Sequence, residues 1–135
     1  MIRRCMQCET TLPPLVVVAV NPGNSAFGWD YYACRRCLVA LRLIPFAHHP
    51  ATGRGPVLHY PPEVPALVLA RLAEFGEDER LTPLVRRLLA AAAQARGGCL
   101  TRGDRSAAKA ELEAAVRELS AFARGGLRPA PEGAP

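Results

Sequence analysis

Two Cys-x-x-Cys steps constrain this chain more than any other feature: Cys5-Met6-Gln7-Cys8 and Cys34-Arg35-Arg36-Cys37, with 25 residues between them. Each step is short enough for one tight turn to aim both sulfurs at a single point. Together they supply the four thiolates that complete a tetrahedral Zn²⁺ shell and leave no open position. One structural zinc on Cys5, Cys8, Cys34 and Cys37 is therefore expected. A segment of roughly 45 residues buries too little apolar surface to fold unaided, and a metal supplies the missing stabilisation.

The remaining cysteine, Cys99, makes the count odd and is read as a free thiol in a turn. A disulfide framework would need an oxidising compartment. The apolar run 12–20 behind Arg3 and Arg4 imitates a secretory leader, but Pro13 and Pro14 interrupt it and no small-residue cleavage pattern follows. No stretch reaches the ~20 apolar residues of a membrane span. The expectation is a soluble, cytoplasmic protein with reduced thiols and no membrane partner.

Between the two cysteine steps the pattern is that of a β-hairpin. Leu15 to Val20 is β-branched and bounded by turn formers. Residues 21–28 are dense in Asn, Gly, Pro and Ser and read as a loop. Trp29 to Ala33 is an aromatic return strand that delivers Cys34 back to the first pair. Alternation places Trp29 and Tyr31 on one face and Tyr32 on the other. Packing of a small core is the ordinary role for such rings, and a base-stacking platform is the sharper one. The apolar segment Leu38 to Ile44, stopped by Pro45, fits two turns of helix or a strand; a short helix opening near Cys34 is preferred, since a helix N-terminus favours thiolates.

This order of turn, hairpin and helix carrying the last two ligands resembles the treble-clef group of zinc fingers, with the zinc-ribbon group as the close alternative. The resemblance runs from Cys5 to about Ile44. Glu9 and Leu38 stand where such knuckles commonly carry Gly. What the resemblance implies is a structural metal; it leaves function open, because that fold serves many.

Residues 45–62 are rich in Pro, Gly and His and read as a linker. His48, His49 and His59 lie there without a nearby Cys or carboxylate. They are expected on an exposed loop rather than as ligands or a general base. Three amphipathic helices follow. The first covers Glu63 to Phe75, with Val64, Leu67, Val68, Leu72 and Phe75 inward and Gly76 just past its end. The second opens with Thr82 as N-cap and Pro83 in the first turn, and runs from Leu84 to about Arg96. The third begins after Thr101 or Asp104 and runs to Arg124, with Ala108, Leu112, Ala115, Val116, Leu119 and Phe122 on one line. The expected fold class is thus α+β. A Cys₄ zinc-finger module occupies 1–44, a linker 45–62, a three-helix region 63–125 and a disordered tail 126–135.

The net charge of +5 is unevenly spread. Residues 1–60 hold six Arg against Glu9 and Asp30, whereas residues 61–135 nearly balance eleven bases with ten acids. The basic excess accompanies the cysteines, which suits an acidic partner such as nucleic acid. Arg3, Arg4, Arg35, Arg36 and Arg42 are the candidate contacts. Lys109 is the only Lys, and with abundant Ala, Gly and Pro this reflects a GC-rich genome more than a need for guanidinium chemistry.

Enzyme signatures are missing. There is no phosphate-binding Gly-Lys-Ser loop, no Gly-x-Ser-x-Gly elbow, no His-Glu-x-x-His and no deaminase pattern. A closed Cys₄ site has no place for an activated water. A non-enzymatic zinc-binding accessory or regulatory protein that contacts nucleic acid or the transcription machinery is the leading expectation. A protein-interaction adaptor with purely structural zinc, docking or homodimerising through its C-terminal helices, is the alternative. A redox switch at Cys34 and Cys37 is a third.

Overall fold

The computed structural model describes residues 3–21, 29–50, 55–98 and 101–125. Its architecture is α+β: a two-stranded antiparallel hairpin beside the cysteines, a short helix, and three further helices. Cys99, residues 22–28 of the expected loop and the expected tail 126–135 lie outside the described residues.

The hairpin pairs β1 (Leu15–Asn21) with β2 (Trp29–Cys34), matching Leu15 to Cys34, Val16 to Ala33 and Val17 to Tyr32. A bulge then intervenes, and Ala19 faces Tyr31. Val18 and Ala19 are both buried, although strict alternation would put consecutive residues on opposite faces. The extra residue at the bulge lets both turn inward.

Helix α1 (Arg35–Ala40) stops well before Ile44, where the sequence pattern placed its end. Arg42 sits at φ 56°, and the Leu43 amide donates back to the Leu38 carbonyl at 2.9 Å. This closure normally uses Gly at the left-handed residue. Arg42 tolerates it because its guanidinium donates to the carbonyls of Pro61 at 2.5 Å and Val64 at 2.8 Å.

The chain after Pro45 makes one 3-10 turn, Phe46–His48. Both histidines of this segment are buried, which corrects the exposed-loop expectation. His48 Nε2 lies 2.9 Å from the Gly76 carbonyl and must donate to it. Its Nδ1 then accepts the Thr82 hydroxyl at 2.9 Å. His49 Nε2 donates to the Ile44 carbonyl at 2.9 Å. Burial pushes both imidazoles below their ordinary pKa, so they work as neutral hydrogen-bonding rings. His59 is exposed, and its ring meets the Leu41 carbonyl.

Helix α2 is Ala66–Phe75, three residues shorter than the pattern from Glu63. Pro65 explains the difference, because the residue before a proline is driven out of helical conformation. The inward line becomes Val68, Leu69, Leu72 and Phe75. Leu67 is 87% exposed, because at about 100° per residue it lies away from that stripe. Helix α3 is Thr82–Ala95, and its N-cap is Leu81 rather than Thr82, whose hydroxyl serves His48 instead. Helix α4 is Arg102–Arg124, and of the two expected starts Thr101 is the cap, its hydroxyl accepting the Asp104 amide at 3.1 Å.

The helices share one apolar core that includes Leu72, Phe75, Val85, Leu88, Leu112 and Leu119. Ile44 and Tyr60 join it from the preceding segments. The Phe75 and Phe122 rings meet at 5.0 Å, with the Arg80 guanidinium over both. A second, smaller cluster gathers Cys5, Val16, Val18, Ala33, Cys37, Leu38 and Leu43 under the hairpin, with Ala73 of α2 packed on it.

Candidate metal centre

The first knuckle is built by backbone hydrogen bonds. The Cys5 amide donates to the Thr10 carbonyl at 2.9 Å, and the Glu9 amide donates to the Cys5 carbonyl at 3.0 Å. Glu9 closes the turn at φ 62°, the conformation for which a knuckle commonly uses Gly. The Met6 amide donates to the Tyr32 carbonyl at 2.7 Å, which docks the knuckle beside β2. The second pair arrives differently. Cys34 ends β2 and is also the N-cap of α1, while Cys37 sits within that helix's first turn. The hairpin therefore positions one pair against the other.

The four sulfurs of Cys5, Cys8, Cys34 and Cys37 lie within 4.8 Å of one another. Cys8 Sγ and Cys34 Sγ are 3.6 Å apart. A tetrahedral ion with bonds of about 2.3 Å to sulfur spaces its ligands by roughly 3.8 Å, so the set fits a metal of zinc's size. Cys5 and Cys37 are buried, Cys34 is half-buried and Cys8 is exposed.

Electrostatics argues the same way. Burial pushes the Cys5 thiol up, but backbone hydrogen bonds at Cys8, Cys34 and Gln7 and the neighbouring Cys37 thiol outweigh it and bring it to about 6. Cys37 moves oppositely, to about 12, through burial, then hydrogen bonding with the other three thiols and the repulsion of Cys5. Four thiols this close cannot all ionise without a compensating cation. A divalent metal removes that repulsion and stabilises the fully deprotonated set.

The basic residues divide into two groups. Arg3, Arg4, Arg35 and Arg36 are exposed and stand within two residues of a cysteine of the cluster. Arg3 lies over the Tyr32 ring at 5.4 Å. None of these four makes an ion pair with any described residue. Arg42, expected among them, is turned inward onto the carbonyls of residues 60–64 and belongs to the scaffold. Sequence reasoning missed that role. The signal available was a short apolar helix with no Gly at its end, followed by carbonyls of a Pro-rich segment that need donors.

Comparison with protein-family models, with curated proteins and with solved structures gives no match to this chain.

Proposed function

We propose that this chain is a non-enzymatic zinc-binding accessory or regulatory protein of the cytoplasm. In this reading Cys5, Cys8, Cys34 and Cys37 hold one structural zinc in a treble-clef-like module. Its basic face contacts nucleic acid or the transcription machinery through Arg3, Arg4, Arg35 and Arg36. The observation that carries the reading is that these four exposed arginines stand within two residues of the clustered cysteines, in a stretch of sequence whose acids are Glu9 and Asp30, and make no ion pair with any described residue. In the helical region Arg71, Arg80, Arg87 and Arg96 are each paired with a carboxylate, and Arg102, Arg105, Lys109 and Arg117 of α4 are exposed without an ion pair among the described residues but stand amid the acids of that helix. An unpaired exposed guanidinium keeps its full charge for a phosphate, whereas a paired one must first give up its partner. Four thiolates also saturate the ion, which supports a scaffold role over a catalytic one.

The test is a mobility-shift titration at several salt concentrations, comparing the wild type with a variant carrying Arg3→Ala, Arg4→Ala, Arg35→Ala and Arg36→Ala. Zinc content of both proteins controls for folding. Loss of about four phosphate contacts on duplex should flatten the log–log salt slope by roughly 3 to 4. Binding that is absent at low salt, or that ignores salt, removes this reading.

One observation favours the adaptor alternative. Leu67 is large, apolar and 87% exposed on α2. A partner or a second copy of the chain that docks on the helices would cover it. Sedimentation of the wild type beside Leu67→Glu tests this, since a monomer in both cases leaves the helical face without a docking role.

A further inference from the structure

The two more exposed cysteines of the cluster come from different knuckles. Cys8 is exposed and Cys34 half-buried, while Cys5 and Cys37 are 0% and 6% exposed. Cys8 Sγ and Cys34 Sγ stand 3.6 Å apart, near enough for a bond to form by a small side-chain rotation. From accessibility and proximity together, we infer that Cys8 is an oxidation site for hydrogen peroxide, resolved by Cys34 into a disulfide that crosses the two knuckles and discharges the metal. This differs from the bridge between Cys34 and Cys37 that the sequence spacing suggests. Cys37 lies on the buried side of α1, where a peroxide cannot approach it first.

The chemistry balances without a further reagent. The Cys8 thiolate attacks one peroxide oxygen; an S–O bond forms, the O–O bond breaks, and hydroxide leaves. Cys8 is then a sulfenic acid. The Cys34 thiolate attacks that sulfur; the S–S bond forms, the S–O bond breaks, and a second hydroxide leaves. Two thiolates lose two electrons in total, and the peroxide becomes two hydroxides that bulk protons convert to water. Cys5 and Cys37 stay reduced. Two thiolates cannot retain a structural zinc, so the ion passes to solvent.

The position of this bridge has a structural consequence. A bond within either knuckle would leave the N-terminal turn free to detach from the hairpin once the metal is gone. A bond between Cys8 and Cys34 keeps the turn tethered to the end of β2, so that reduction in the presence of zinc can restore the site.

The inference rests on the zinc reading, and the experiment separates the two. Zinc-loaded, reduced protein is first analysed for metal, in the wild type and in Cys99→Ser, which removes the fifth thiol from the count. Hydrogen peroxide is then added with a chromogenic zinc chelator present. Remaining thiols are alkylated and the disulfides mapped by mass spectrometry. The expected result is one zinc per chain at the start and its release in step with the loss of two thiols. The single dominant cross-linked peptide should join Cys8 to Cys34, and dithiothreitol plus zinc should reverse the change. Absence of metal at the start overturns the zinc reading itself. With metal present, three outcomes overturn this inference: a dominant bridge between Cys34 and Cys37 or between Cys5 and Cys8, over-oxidation of Cys8 without a bridge, or no zinc release.

Discussion

The cysteine module and the helical region reach stability by different routes. The module buries a handful of small side chains, and two of the seven in its cluster are metal-ligand candidates, Cys5 and Cys37. The helical region fills its core with Leu, Val, Phe and Ala from three helices. Their surfaces differ in the same sense. The helical region pairs part of its charge internally, as when Arg87 of α3 reaches Glu111 and Glu118 of α4, while Arg102, Arg105, Lys109 and Arg117 of α4 are exposed without an ion pair among the described residues. In the module Arg3, Arg4, Arg35 and Arg36 make no ion pair with any described residue.

Metal removal should separate the two most sharply. Chelation, or Cys5→Ala, withdraws a stabilisation on the order of 10 kcal/mol at neutral pH. Amide hydrogen exchange should then show β1 and β2 losing protection while α3 and α4 keep theirs. A hairpin that stays protected without metal, or helices that melt with it, would erase the distinction.

The reciprocal experiment is Leu88→Ala. Leu88 is fully buried in the helical core, so the cavity should cost about 2–5 kcal/mol. Denaturant unfolding should record that loss with zinc stoichiometry unchanged. Loss of zinc together with helical stability would mean that the regions fold as one unit.

Arg42 probes their junction. Arg42→Ala removes the donor to three carbonyls and retains the left-handed strain; a loss of about 1–3 kcal/mol is expected. Arg42→Gly relieves the strain and should be milder by about 1 kcal/mol. Equal losses in the two variants would show that φ 56° is not strained here.

The smallest effect is at Glu9. Glu9→Gly removes left-handed strain of about 1–2 kcal/mol and adds backbone freedom of about 0.5–1 kcal/mol to the unfolded chain. Thermal unfolding of the zinc form should rise slightly. A fall would point to a stabilising role for the Glu9 side chain.

Much of the fold was legible in the residues. The four-cysteine cluster follows from spacing alone, and the hairpin follows from a β-branched run, a turn-rich loop and an aromatic return strand. Helix α4 carried its own start in Thr101 and its own face in a three-and-four pattern. The failures have separate causes. Leu67 looked inward and Glu63 looked helical because the pattern was read through Pro65, which resets where α2 begins. Thr82 looked like a cap, but a histidine 34 residues earlier competes for its hydroxyl.

What the residues by themselves determined is therefore local: four sulfurs in two turns, an antiparallel pair to join them, and helices with defined apolar faces. These depend on torsional preference and periodicity, which neighbouring residues specify. Tertiary structure decided the rest. It made His48 a neutral buried bridge between the 3-10 turn, Gly76 and α3, and took Arg42 for the scaffold. It left Arg3, Arg4, Arg35 and Arg36 without ion-pair partners among the described residues, and it set Cys8 against Cys34. Each of those outcomes depends on which distant groups come within hydrogen-bonding or contact range, and only the packed chain brings them there.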